Sequence, residues 1–123
     1  MTLCPGIDGA RLWASLMSLA EIGATAGGGV TRLALDDDDR RARDLFVRWC
    51  RDAGCTVRVD AVGNLFARRA GRDAAAAVVM TGSHLDTQPG GGRFDGAYGV
   101  MAGLEVLRTL HDAGIDTAAA IEL

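Results

Sequence analysis

The sequence predicts an α/β fold, and three features predict it. Three stretches repeat their apolar residues every three or four positions, the period of a helix with one buried face. Two short stretches alternate apolar and polar residues on either side of a Gly-Asn turn, and two further apolar runs have strand length. The densest set of ligand-type side chains lies between one of those runs and the last helical pattern, where α/β proteins place their chemistry.

Bulk properties narrow the classes. A chain of 123 residues with 49% apolar content can bury one modest core, so a single domain is expected. Thirteen basic residues against 16 acidic give a net charge of -3. No basic block stands out and aromatic content is 5%, so nucleic acid is not an implied partner. No apolar run is long enough to cross a membrane. The first eight residues lack the basic start and apolar core of a secretory signal, and Cys4, Cys50 and Cys55 are odd in number. Free thiols in a reducing cytoplasm are the expectation. Cys50 and Cys55 invite comparison with a metal pair, but Cys50 falls on an apolar helix face, which favours packing.

Asp8 can cap a helix over about residues 9–22, with Leu12, Trp13, Leu16, Leu19 and Ala20 at helical spacing for burial. Residues 23–30 form a small-residue loop containing Gly27-Gly28-Gly29, followed by a short extended piece over 31–35. For this stretch a structural loop outweighs a substrate contact. Four successive acids at 36–39 fit a helix start, Asp36 capping and the others facing the positive end of the helix dipole, better than a metal site. That helix runs to about Ala53. It buries Ala42, Leu45, Phe46, Trp49, Cys50 and Ala53, leaves Arg40, Arg41, Arg43, Arg48 and Arg51 wet, and ends at Gly54.

Residues 56–61 and 65–68 alternate with period two around Gly63-Asn64, which reads as a hairpin with one wet face. After a polar loop at 70–73, residues 76–80 form an unbroken apolar strand, expected to be covered on both faces, although pattern alone leaves a buried helix segment open. A third helix is expected over about 97–113, carrying Val100, Met101, Leu104, Leu107 and Leu110. Gly99 and Gly103 allow close approach of neighbouring backbone. His111 falls in its last turn, where an imidazole suits the negative dipole end and a structural role is preferred. Residues 118–123 begin another buried strand.

The chemistry concentrates in Gly82-Ser83-His84-Leu85-Asp86-Thr87-Gln88-Pro89-Gly90-Gly91-Gly92-Arg93-Phe94-Asp95-Gly96. His84 and Asp86 are two apart, so on extended backbone they leave one face. A metal-bound imidazole normally gives its other ring nitrogen to a carboxylate, which fixes its tautomer and raises its basicity. His84 is the candidate ligand and Asp86 its orienting partner. Asp95 follows a glycine-rich turn able to swing a second oxygen donor back, and a carboxylate can bridge two ions. A hydrogen-bonded structural pair at His84 and Asp86 stays open on these residues alone. Gly90-Gly91-Gly92 lacks the pattern of a phosphate loop or a dinucleotide fingerprint.

Taken in order, residues 82–104 resemble the metal-site segment of the amidohydrolase branch of the M20 metallopeptidase family, which holds N-carbamoyl-L-amino-acid hydrolases, β-ureidopropionases and allantoate amidohydrolases. Peptidase members place a longer insert and a Gly-Arg-Gly-x-x-Asp-x-Lys-Gly pattern around the aspartate. Here Gly91-Gly92-Arg93-Phe94-Asp95-Gly96 follows the His-x-Asp closely, and His84-Leu85-Asp86-Thr87-Gln88-Pro89 points to the carbamoylase and β-ureidopropionase group. Gly90 departs from the usual Thr or Ser. The resemblance extends upstream to Gly27-Gly28-Gly29-Val30-Thr31-Arg32-Leu33.

The resemblance implies the N-terminal part of a zinc-peptidase-like α/β/α catalytic domain over residues 1–123, with three helices and about four strands. The remainder of that domain and a lid domain lie outside the sequence. It implies His84 as ligand of one metal, Asp95 as bridging ligand, Asp86 as the residue orienting His84, and a cis peptide between Asp95 and Gly96. Two divalent ions (zinc, manganese or cobalt), a small-molecule amide substrate and a homodimer are implied for a complete protein. The implied activity is metal-assisted hydrolysis of linear carbon-nitrogen amide bonds, those of N-carbamoyl amino acids. A peptidase of the same architecture and a non-catalytic truncated product are the alternatives. The family's later glutamate pair and histidine ligands lie beyond Leu123, so the 123 residues alone are expected to be inactive.

Overall fold

The computed structural model describes residues 5–123; Cys4 lies outside them. The elements follow in the order α1 (Gly9–Ala20), α2 (Asp37–Asp52), β1 (Thr56–Val59), β2 (Leu65–Arg69), β3 (Val79–Met80), α3 (Ala97–Asp112) and β4 (Ile121–Glu122). The four strands form one mixed sheet in the order β1-β2-β4-β3. β1 pairs antiparallel with β2, β2 antiparallel with β4, and β3 parallel with β4. Three helices over a mixed sheet is the α/β arrangement the apolar periods predict.

Helix starts are set by the expected caps. The Asp8 carboxylate accepts from Arg11 N at 2.9 Å. At α2 the capping is reciprocal: Asp36 accepts from Asp39 N at 2.6 Å, while the buried Asp39 carboxylate accepts from Leu35 N at 3.0 Å. Asp36 also accepts from Leu33 N at 3.0 Å. Asp36→Ala should therefore lower stability by about 1 to 2 kcal/mol, read as a drop in the urea midpoint at unchanged slope. A change of a few tenths would mean that solvent replaces the cap. Gly54, at φ +78°, ends the helix as expected.

One core joins all three helices to one face of the sheet. It is built from Leu16 and Leu19 of α1, Phe46 and Cys50 of α2, Ala67 of β2, Met101, Leu104 and Leu107 of α3, and Leu123. Gly99 and Gly103 do sit at close approaches, but to side chains rather than to backbone: a Cβ on Gly99 would crowd the Ser83 side chain and one on Gly103 would meet that of Leu123. The opposite face carries Arg58 stacked 3.7 Å over the Phe66 ring, and Arg58 and Arg68 both paired to the buried Glu122.

α1 and α3 are joined by a polar clasp. Arg11 forks onto Glu105 through Nε (2.9 Å) and Nη2 (2.7 Å) and reaches Asp112 through Nη1 (2.6 Å). Glu105 is 1% exposed and also accepts from Asp8 N and Thr109 Oγ1. Burial alone would raise its carboxyl pKa, but these hydrogen bonds outweigh it and hold the group below the usual carboxylate range.

Several expectations are corrected. Trp13 is 57% exposed rather than buried, because the apolar stripe of α1 turns inward through Leu16 and Leu19 while Trp13 faces outward beside Phe94. Leu45, Trp49 and Arg43 of α2 are half-buried rather than fully in or fully out. The strand expected over 76–80 is confined to Val79–Met80, since Asp73 draws the preceding alanines into a turn by accepting from Ala75 N at 2.9 Å. Nor is it covered on both faces: β3 is an edge strand whose Val79 and Met80 are 59% and 60% exposed, with no described element over it. Residues 31–35 form no strand, and Arg32 within them is 1% exposed.

Candidate functional site

β3 leads through Thr81, whose N–H donates to Glu122 O at 3.0 Å, into the ligand-rich turn. Leu85 sits at a bend with its side chain buried in the core, which leaves His84 and Asp86 together on the outer side. Their side chains do meet: His84 Nδ1 lies 3.3 Å from Asp86 Oδ1. It lies closer still, at 2.9 Å, to the Asp86 backbone carbonyl. An imidazole that donates to this carbonyl through Nδ1 leaves Nε2 carrying the lone pair.

The turn then doubles back. Gly91 N donates to Gln88 O at 3.1 Å and Gly90 takes φ +63°. Asp95 is exposed and opens α3, and the next residue, Gly96, lies directly under the imidazole, where a Cβ would overlap the His84 ring. The fold thus brings Gly96 against the His84 ring. No cis peptide occurs among the described residues, so the cis bond implied at Asp95 and Gly96 is absent. The chain reverses instead through Gly96 at φ +70° and ψ -52°, with Ala97 N donating to Asp95 O at 2.7 Å. This is a γ-turn about glycine.

The loop over 23–32 scaffolds this turn. Val30 N donates to Gly91 O at 2.9 Å, Gly90 N to Thr31 Oγ1 at 2.8 Å, and Arg93 Nε to Gly28 O at 3.0 Å. Arg32 contributes most. Its Nε donates to Leu85 O at 2.8 Å and its Nη1 to Leu19 O (3.0 Å) and Ile22 O (2.7 Å), with no carboxylate in contact. Burial pushes its pKa down from the ordinary value, against the pull of Asp39, Asp38, Asp36 and Asp86. Sequence reasoning missed Arg32, because its partners are carbonyls from two distant segments and no local pattern marks it.

His84 and Asp86 line an open cleft of about 760 Å³ whose walls include Leu35, Arg43, Phe46 and Ser83. An imidazole nitrogen and the Asp95 carboxylate are a mixed nitrogen and oxygen donor set, suited to zinc, manganese or cobalt. The glycine beneath the ring and the engagement of Nδ1 both suit a ligating Nε2. Among the described residues no group of three or more His, Cys, Asp or Glu side chains could hold an ion, whereas catalytic zinc usually takes about three protein ligands. His84 and Asp95 by themselves do not complete such a ligand set. Cys50 and Cys55 are not part of it: both are free and buried, and burial pushes the Cys50 thiol up to about 12. His111 packs beside Gly54, away from the turn.

Fold and turn define the class, an α/β chain whose glycine-rich turn brings His84 and Asp86 together, and comparison with known proteins narrows it. The family model that matches is that of peptidase family M28, over residues 64–122, which covers β2, the site turn, α3 and β4. An N-carbamoyl-L-amino-acid amidohydrolase of Rhizobium meliloti is 50% identical over 90% of this chain and 27% of its own length. Its counterpart in Geobacillus stearothermophilus is 48% identical over 95% of this chain and 29% of its own. The crystal structure of a hydantoinase/carbamoylase family amidase from Burkholderia ambifaria superposes with a TM-score of 0.93 at 74% identity, covering 94% of this chain and 28% of that one. The chain is similar to part of these hydantoinase/carbamoylase-type amidohydrolases, the branch its turn motif resembles, and spans less than a third of their length.

Proposed function

We propose that this chain forms the first metal-site portion of a metal-dependent amidohydrolase acting on the carbamoyl carbon-nitrogen bond of N-carbamoyl amino acids. The observation that carries the reading is the His84 imidazole, seated over Gly96 with Nδ1 engaged by the Asp86 carbonyl, so that Nε2 is not used in that bond. The identity to the two carbamoyl-amino-acid amidohydrolases supports the substrate class.

His84 and Asp95 would hold the ions, two divalent cations drawn from zinc, manganese and cobalt. When bound, such ions make water acidic enough to attack near neutral pH and polarise the carbonyl oxygen. Within this chain, Asp86 orients the imidazole through its carbonyl first and its carboxylate second. Asp86→Asn should then weaken ion binding toward the low end of the roughly 10- to 100-fold range for outer partners, since the carbonyl remains. A reducing cytoplasm fits the free thiols Cys50 and Cys55, and no helix among the described residues is long and apolar enough to cross a membrane.

The test compares the 123 residues with the full product of the coding region that carries them, each supplied with zinc, manganese or cobalt and an N-carbamoyl-L-amino acid, and follows release of the free amino acid. Turnover is expected in a product that continues past Leu123 and abolished by His84→Ala or Asp95→Asn, with none in the 123 residues alone. Turnover indifferent to His84→Ala would overturn the site. A peptidase of the same architecture is the second reading, favoured by the match to the peptidase M28 model. Cleavage of dipeptides but not of N-carbamoyl amino acids would select it.

A further inference from the structure

Arg32 is a buried cation whose side chain touches only carbonyls. Two of them, Leu19 O and Ile22 O, lie at the end of α1, where helix carbonyls lack partners and a cation is favoured. Helix capping would account for those two. It does not account for the third bond, from Nε to the carbonyl of Leu85, the residue between His84 and Asp86.

The peptide two residues on is held by the same segment. Arg32 N donates to Thr87 Oγ1 at 2.9 Å and Thr87 N donates back to Arg32 O at 2.7 Å, while the one Thr87 hydroxyl proton is shared between Gln88 O (2.8 Å) and Val30 O (3.1 Å). Residues 85 and 87 are thereby fastened to one segment on the inner side, and Asp86 lies between them. The Asp86 carbonyl, 2.9 Å from His84 Nδ1, is the nearest polar atom orienting the imidazole. Its direction follows from the two peptide units that Arg32 and Thr87 clamp.

We infer that Arg32 is a positioning residue of the site, whose guanidinium acts through the Leu85 carbonyl to fix the Asp86 peptide and, through it, the ring plane of His84. The inference rests on the metal reading of His84 for its consequence in ion binding, but its geometric part is independent of that reading. A lysine cannot replace the fork, because one ammonium on a flexible stem does not present donors in three fixed directions.

The experiment uses nuclear magnetic resonance of the full chain, whose two histidines give separable ring signals assigned by His111→Gln. Mn2+ is titrated and broadening of the His84 ring protons is followed, with His111 as internal reference. Side-chain couplings of His84 report whether it holds one rotamer. In Arg32→Lys the Mn2+ concentration for half-broadening should rise about tenfold and the His84 couplings should move toward a rotamer average, while the far-ultraviolet dichroism and the His111 signal stay unchanged. Thr87→Val should move both readouts in the same direction and decides the matter if Arg32→Lys fails to fold. Wild-type midpoints and couplings in a folded Arg32→Lys would overturn the inference and leave Arg32 a helix cap. Absence of Mn2+ broadening at His84 in the unsubstituted chain would overturn the metal reading instead. The couplings then decide alone: averaging in Arg32→Lys supports the positioning role, and an unchanged rotamer ends it.

Discussion

Arg11→Met is expected to destabilise the chain by about 3 kcal/mol at pH 7, because it strands the Glu105 carboxylate in the interface between α1 and α3. Removing one partner of a buried ion pair costs about 3 to 5 kcal/mol, and the low end applies because the Arg11 side chain is 31% exposed. Glu105, at 1% exposure, would retain only Asp8 N and Thr109 Oγ1. The pH dependence has a definite sign. The native carboxyl is held below its ordinary value of 4.5, so its contribution is complete above that pH and disappears as pH falls through the lower folded value. In the variant only the bonds from Asp8 N and Thr109 Oγ1 oppose burial, so the carboxyl titrates higher than in the native chain and protonation relieves the stranded charge. The gap between the two proteins in urea unfolding should therefore be widest near neutrality and shrink as pH falls through the variant's higher value toward the lower native one. A gap under 1 kcal/mol at pH 7, or one that widens in acid, would show that the clasp is not what joins these helices. Adding Glu105→Leu to Arg11→Met should restore much of the loss, since an apolar pair of similar volume often replaces a buried ion pair without penalty.

The same clasp illustrates what the sequence could and could not disclose. Asp8 and Asp36 are legible as caps because a cap is a local device, complete within four residues. The hairpin is legible for a similar reason: Asp60 accepts from Val62 N and Asn64 N, and Gly63 takes φ +93°, all within one short turn. Arg11 and Glu105 are far apart in the chain, and a glutamate beside Leu104 reads as a solvated position until α1 is placed against it. Arg32 was hidden in the same way. At the site, the spacing of His84 and Asp86 foretold that they would meet, but not that the carbonyl would lie nearer than the carboxylate. That ordering follows from the bend at Leu85, which is imposed by side chains and carbonyls from residues 19–32 rather than by the turn itself. The turn's glycines were visible as freedom, and only packing decides which of them spends it.

Gly96→Ala is expected to remove ion binding at His84 and destabilise the chain together, because two constraints meet at that one position. The first is conformational: φ +70° with ψ -52° lies outside the regions open to an L side chain, at a cost of about 1 to 3 kcal/mol. The second is steric: the added methyl would overlap the His84 ring, which is the far end of a side chain and so can turn away. Rotation of the imidazole relieves the clash but breaks the 2.9 Å bond from Nδ1 to the Asp86 carbonyl and so changes the direction of Nε2. Since the ring yields before the backbone does, the stability loss should stay close to the conformational cost alone. Loss of Mn2+ broadening at His84 should be complete to the solubility limit of the ion. Gly90→Ala provides the control, for Gly90 also has positive φ, at +63°, but a Cβ there meets nothing within 4 Å. It should lose stability by a similar amount while keeping Mn2+ binding. Equal loss of binding in both variants would mean that the loop as a whole, and not the seat beneath the imidazole, sets the position of His84.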